Sequence, residues 1–284
     1  MTEILQQLNA RLGVEIGSKD ETEEERLERL KKHCEWTCEL ENKEKGNLDE
    51  YDGYHCEICN DKGYIVKPQF YINSYNQVQV MCKCTKIRKT IRALKRSGLE
   101  SVVHDYTFDK YIASEPWQQN ILSMAKSYLQ EYDNHWFFFG GQSGSGKTHI
   151  CTAIAIWLLK QGKEVKYMLW RDEASRLKAM VNDDAYVDEI TKYKTVDVLY
   201  IDDLFKIGRT DMQGKQRPTQ ADINLAFEIL NNRLIQKKIT IISSESTITD
   251  LIDYDEAMAG RIKQRCGDYC LNIARDRNKN YRLK

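Results

Sequence analysis

Eight consecutive residues, Gly141-Gln142-Ser143-Gly144-Ser145-Gly146-Lys147-Thr148, constrain this chain more than any other stretch. They fit G-x-x-x-x-G-K-[ST] at every fixed position, the pattern of a loop that cradles phosphate. The glycines let the backbone turn with its N–H groups pointing inward, where a β-carbon would obstruct the turn or the approach. Lys147 then reaches the β- and γ-phosphates, and the Thr148 hydroxyl is placed to ligate magnesium. The plain alternative is a glycine-rich turn, and the flanks weigh against it. Trp136-Phe137-Phe138-Phe139 in front reads as a short buried strand, and 149–160 behind, beginning at His149, reads as an apolar helix. A strand running through a glycine turn into a helix N-terminus suits an anion, because the helix dipole and its unpaired N–H groups favour negative charge.

A second half of such a site is expected further along. Val196-Asp197-Val198-Leu199-Tyr200-Ile201-Asp202-Asp203 is a hydrophobic strand ending in two carboxylates. Asp202 is the natural magnesium partner beside the phosphate loop, and Asp203 is placed to position an attacking water. An isolated Asp-Asp pair would be no more than a strand end. Coupled to the loop, it predicts binding of ATP with Mg2+.

The chain has 284 residues, room for two domains, and 43 Lys+Arg balance 43 Asp+Glu. The balance hides an uneven distribution, with acids crowded from Glu15 to Glu28 and bases from Lys86 to Arg96. No apolar run approaches the roughly 18 residues of a membrane span, and the N-terminus has no basic segment followed by an apolar one. Nine cysteines, an odd number, beside a nucleotide site favour a reducing cytoplasm, with metal or free thiols rather than disulfides.

The first 50 residues read as helical and charged, with Ile4, Leu5, Leu8 and Leu12 on one face and Leu27 and Leu30 on the next. Cys56-Glu57-Ile58-Cys59 and Cys82-Lys83-Cys84 then bracket a hairpin-like stretch. Two close cysteine pairs joined by a β segment can set four thiolates around one tetrahedral zinc, which substitutes for a core that so small a unit cannot build. A redox dithiol is the competing reading, and the βαβ context it needs is missing. Cys34 and Cys38 share a helical face and read as half-buried thiols. From Thr85 to Ser97 runs an amphipathic basic helix with Ile87, Ile91 and Leu94 on one side and six cations elsewhere. The phosphate backbone of a nucleic acid is its natural acidic partner, and a solvated linker helix is the alternative. Strands near 164–169, 239–243 and 268–273 join the two already named. Five strands separated by helices predict an α/β fold, a parallel sheet with helices on both faces. The expected domains are 1–98, a small zinc-binding α+β module, and 99–284, the ATP-binding domain.

Together these features resemble the DnaC/DnaI-type replicative helicase loaders of the AAA+ ATPases, particularly the forms of bacteriophages and Gram-positive bacteria. The resemblance runs from about Cys56 to the C-terminus. It rests on 140–149, on Leu199-Tyr200-Ile201-Asp202-Asp203-Leu204-Phe205, on Thr240-Ile241-Ile242-Ser243-Ser244-Glu245, and on Ala259-Gly260-Arg261-Ile262. It implies ATP hydrolysis by an AAA+ P-loop domain, Arg261 reaching a neighbouring subunit's γ-phosphate, a sensing polar group at Ser243 or Ser244, and adenine near Tyr106-Thr107-Phe108. It also implies an N-terminal zinc domain that binds the replicative helicase, delivery of that helicase onto single-stranded DNA, and a homo-oligomer. Asp203 stands where AAA+ proteins commonly have Glu, and Glu245 where Asn is frequent. Only 23 residues follow Arg261, too few for a C-terminal lid. A transposition helper ATPase and an ATP-binding adaptor with little turnover remain the alternatives.

Overall fold

The computed structural model describes residues 21–95, 105–206 and 217–283. Its contacts divide the chain into two compact units, Met1–Arg88 and Lys89–Lys284. The dividing point falls inside a helix, before the expected junction at 98/99, which lies outside the described residues. So do Ile4, Leu5, Leu8 and Leu12.

In the first unit, α1 (Glu23–Lys43) opens on a capping box. The Thr22 hydroxyl accepts from the Glu25 amide, and the Glu25 carboxylate takes the Thr22 N–H at 2.9 Å. Two of the helix's orphan donors are thereby satisfied. Leu27 and Leu30 are only half-buried. The face that packs inward is Cys34 and Cys38, with Val66 of the first strand. These thiols are fully buried rather than half-buried, and they form part of an apolar cluster. A short α2 (Leu48–Asp52) follows, then an antiparallel hairpin of β1 (Tyr64–Tyr71) and β2 (Ser74–Met81). Asn42 ties α1 to it by taking the place of a strand neighbour. Its side-chain amide donates to the Val66 carbonyl and accepts from the Val66 N–H, both at 2.8 Å. The basic helix appears as α3 (Cys84–Leu94).

The second unit is a five-stranded all-parallel sheet: β3 (Phe137–Gly141), β4 (Val165–Leu169), β5 (Val198–Asp202), β6 (Ile239–Ser244) and β7 (Cys270–Ile273). The order across it is β4-β5-β6-β3-β7. Helices α4 (Pro116–Glu131), α5 (Lys147–Lys160), α6 (Trp170–Ala179), α7 (Tyr186–Thr195), α8 (Gln220–Ile235), α9 (Ile248–Tyr254) and α10 (Glu256–Cys266) connect and flank the strands. Side chains alternate along a strand, so Phe137 and Phe139 enter one core with Ile121, Ile154 and Leu158, while Phe138 enters the other with Leu177, Ile229 and Ile262. Both faces of the sheet are covered, which is why the central strands are apolar at nearly every position. After β7 the described residues contain only two single-turn 3-10 segments, Arg277–Lys279 and Tyr281–Leu283.

Candidate functional site

The expected phosphate loop joins the end of β3 to the start of α5. Gly141 has φ +107, and a β-carbon there would lie 2.0 Å from the Ile273 carbonyl oxygen of β7. Only glycine lets the strand leave the sheet at that point. Gly146, in left-handed conformation, is the N-cap of α5. The Ser145 hydroxyl donates to the Gln142 carbonyl at 2.8 Å and braces the turn. Lys147 is 6 % exposed, and its ammonium donates to the Gly141 and Gln142 carbonyls at 3.0 and 2.8 Å. Burial pulls its pKa below the ordinary value, an effect that the charges of Glu245 and Asp203 oppose.

The loop forms one side of a cavity of about 360 Å³. Tyr106, Tyr111 and Trp117 line another side, suited to the flat face of a base. His149 is stacked on Tyr106 at 4.8 Å, and its Nε2 lies 2.8 Å from the Thr107 carbonyl. A carbonyl only accepts, so Nε2 carries the proton. Phe108, expected at the base, does not line the cavity. It packs against the apolar cluster under α4 and α5. Tyr106, of the same expected segment, lines the cavity together with Tyr111 and Trp117.

At the carboxyl end of β5, Asp202 is 3 % exposed and receives donors on both oxygens. Thr148 (3.3 Å), Tyr200 (2.9 Å) and Ser243 meet Oδ1, and Tyr167 (3.0 Å) meets Oδ2. Burial raises its pKa above 3.8, with the nearby Asp203 charge adding to that, while the hydroxyls work the other way. A desolvated carboxylate beside a threonine hydroxyl is a fitting pair for a small divalent cation, which prefers oxygen ligands. Asp203 lines the cavity with Lys206 and Glu245, and Lys206 pairs with Asp203 at 2.9 Å and Glu245 at 3.1 Å. Ser243 accepts the Asp203 N–H at 3.0 Å, so its own proton goes to Asp202. Ser244 does not reach this carboxylate. Its hydroxyl donates to the Leu204 carbonyl at 2.7 Å, and Glu245, the residue after β6, is on the cavity wall.

Arg261 lies on α10, away from the cavity lining. Its guanidinium sits over the Phe227 ring at 4.7 Å and donates to Asn231 and to the Ala257 carbonyl. The tail after β7 does reach the loop: the Tyr281 N–H donates to the Gly144 carbonyl at 2.9 Å, and Arg282 lines the cavity. Sequence spacing does not place Lys206, Tyr167 or Tyr200 at the site.

In the first unit Cys56, Cys59, Cys82 and Cys84 are all buried, with their sulfur atoms within 4.8 Å of one another. The Cys56–Cys82 and Cys59–Cys84 separations are 3.8 and 3.5 Å. Four thiolates at Zn–S distances of about 2.3 Å in a tetrahedron lie about 3.8 Å apart, so the geometry fits one zinc. The Gly63 N–H donates to Cys59 Sγ at 3.3 Å. The basic helix beside them is not cationic all round. Arg88 is 2 % exposed and held by Asp52 at 2.5 Å and Asp61 at 2.6 Å. It falls four residues after Cys84 and three before buried Ile91, the inward stripe of α3, and that spacing was the signal missed.

The family described as IstB-like ATP binding protein matches residues 77–284. The chain is 32% identical over 231 residues to the phage-like element PBSX protein XkdC of Bacillus subtilis (strain 168), covering 78% of this chain and 82% of that protein. It is 27% identical over 167 residues to the replicative helicase loader DnaC of Escherichia coli (strain K12), covering 57% and 64%. The crystal structure of the DnaC helicase loader superimposes with a TM-score of 0.51 at 19% identity, over 61% of this chain and 98% of that one. DnaI gives 0.50 at 18%, over 62% and 93%. The fold is that of AAA+ P-loop proteins, and by its sequence the chain belongs to the IstB-like ATP binding family.

Proposed function

We propose that this protein is an ATP-driven loader that places a replicative ring helicase on single-stranded DNA. The observation that carries the reading is the pairing, in one chain, of a complete ATP site with a separate cysteine-built unit. Relatives named replicative helicase loader match the chain over 190 and 167 residues, each at 27% identity. The family match begins at residue 77, so Cys56 and Cys59 lie before it. The loop amides 141–146 and Lys147 hold the phosphates, and the aromatic wall holds the base. Thr148 and Asp202 would hold magnesium, which when bound offsets the charge gathering on the phosphates. Asp203 orients the attacking water. Arg261, which is not part of its own cavity lining, serves the site of a neighbouring copy. The cysteine unit, with zinc as a structural ion, docks on the helicase. Among the described residues, no helix is long and apolar enough to cross a membrane.

The test is reconstitution: purified chain, ATP and candidate ring helicases from a matching host, with helicase bound to circular single-stranded DNA as the readout. Loading that needs both ATP and an intact cysteine unit is expected. ATP turnover with no helicase partner, but with stimulation by a transposase, would favour a transposition helper. ATP binding without DNA-stimulated turnover would favour an adaptor.

A further inference from the structure

The turn after β5 is fastened so as to keep a second cation at the phosphate cavity. Asp203 and Phe205 both adopt left-handed backbone, with φ +57 and +62. Side chains other than glycine rarely occupy that region, and such strain persists only where the surroundings enforce it. Here they do. Phe205 is buried edge-on to Trp170 at 5.4 Å, the Leu204 N–H donates to the Ser243 carbonyl at 2.8 Å, and the Ser244 hydroxyl returns a bond to the Leu204 carbonyl. The result is that Lys206 folds back on Asp203, its N–H bonding the Asp203 carbonyl at 2.9 Å, and its ammonium enters the cavity wall. A lysine meant only for solvent needs no such turn.

The ammonium has three N–H bonds. Asp203 Oδ2 takes one at 2.9 Å and Glu245 Oε1 another at 3.1 Å, from the ends of two adjacent strands. Among the described residues these are its two side-chain acceptors, and the third N–H is left for an oxygen in the cavity. Lys147 sits deeper, inside the loop, beside the Gly141 and Gln142 carbonyls. Lys206 stands at the outer end, with the carboxylate assigned to the attacking water. Two carboxylates facing a polyphosphate would repel it, and Lys206 is the cation that bridges them. Burial works against its charge, but Asp203 and then Glu245 outweigh that and hold its pKa above the ordinary lysine value.

We propose that Lys206 is a phosphate-binding residue: held by Asp203 and Glu245, it contacts the terminal phosphate of ATP and makes the site prefer triphosphate to diphosphate. The proposal rests on the ATP-site reading above. It differs from a purely structural role, in which Lys206 only neutralises Glu245.

The experiment measures ATP and ADP affinity by calorimetry, with magnesium, on the full chain carrying Lys206→Met, Lys206→Arg, Lys206→Met with Glu245→Gln, or Lys147→Ala. Lys206→Met is expected to weaken ATP about tenfold or more and ADP less than about threefold, the size of one lost charge-assisted hydrogen bond. Lys206→Arg keeps the preference for ATP. The double variant regains ADP affinity but not the preference. An unchanged ATP-to-ADP ratio in Lys206→Met overturns the proposal, and so does a double variant with the wild-type ratio. If the wild type and Lys147→Ala bind ATP alike, the ATP-site reading itself fails and takes the proposal with it. Binding that depends on Lys147 with no effect at Lys206 rejects this proposal alone.

Discussion

Four hydroxyls converge on the Asp202 carboxylate, and their division between its oxygens has a chemical consequence. Among the described residues, Oδ1 accepts from Thr148, Tyr200 and Ser243, whereas Oδ2 accepts only from Tyr167. The less crowded oxygen keeps a lone pair for a cation or its water. Tyr167 and Tyr200 are register partners on β4 and β5, packed edge to face at 5.2 Å, so the sheet itself sets their hydroxyls. Groups that orient a ligand without touching the metal are commonly worth about 10- to 100-fold in affinity. Tyr167→Phe is therefore expected to raise the magnesium concentration for half-maximal ATP binding about tenfold, with an unchanged melting temperature within a few degrees. A titration showing the wild-type magnesium requirement would refute the positioning role.

Helices carry the next layer of argument. Thr219 caps α8 in a capping box with Asp222, whose carboxylate takes the Thr219 N–H at 3.0 Å and its hydroxyl at 2.6 Å, and also pairs with Lys178. Burial alone would raise the Asp222 pKa, but Lys178 and the two Thr219 donors outweigh it and hold the group below 3.8. The folded protein thus binds this proton more weakly than the unfolded chain. The stabilisation is present above about pH 4 and is lost as pH falls through the folded value. Asp222→Asn should melt at a lower temperature at pH 7, and the gap should close as both proteins are taken below pH 4. A gap that stays constant with pH would show that the charge is not what stabilises the cap. Arg233, later on α8, is wholly buried, and among the described residues no carboxylate is paired with it. It donates to the Tyr193, Val196 and Ile239 carbonyls, joining the end of α7 to β6. Strand and helix positions were legible because apolar runs and glycine breaks are local. Arg233 and Arg88 were not, since a buried cation and a surface one look alike until the chain brings its acceptors round.

At the scale of the molecule, the two units have separate apolar clusters, so they should respond separately to metal removal. Protein purified without chelator is expected to hold one zinc, measured by elemental analysis. Stripping it should melt the cysteine unit and leave ATP binding to 105–283 intact, because metal binding supplies folding free energy only where the ligands lie. Four freely reactive thiols at Cys56, Cys59, Cys82 and Cys84 in untreated protein would refute this. Arg261 belongs to the same scale. Arg261→Ala alone should keep ATP affinity and lose stimulated turnover, by roughly 10³ if it acts as a finger. Mixing it with Lys147→Ala chains should restore some activity, since a mixed interface pairs an intact loop with an intact arginine. Co-assembled variants with no recovery at any ratio would remove the in-trans role.

The chain's local chemistry determined the phosphate loop, the strand that ends at Asp202 with Asp203 just beyond it, the five-strand parallel sheet and the two cysteine pairs. Each is a short pattern whose meaning follows from backbone geometry and residue type within a few positions. The tertiary structure alone decided which groups complete the sites. It set Tyr111 and Trp117 beside Tyr106 on the cavity wall without Phe108, put Ser243 rather than Ser244 on the Asp202 carboxylate, and locked Arg88 between Asp52 and Asp61. It also brought the Tyr281–Arg282 tail to Gly144, a contact between residues 137 apart. Contacts of that kind depend on how strands are ordered in the sheet and on which direction a side chain leaves its element. Neither is written in the spacing of residues along a single segment.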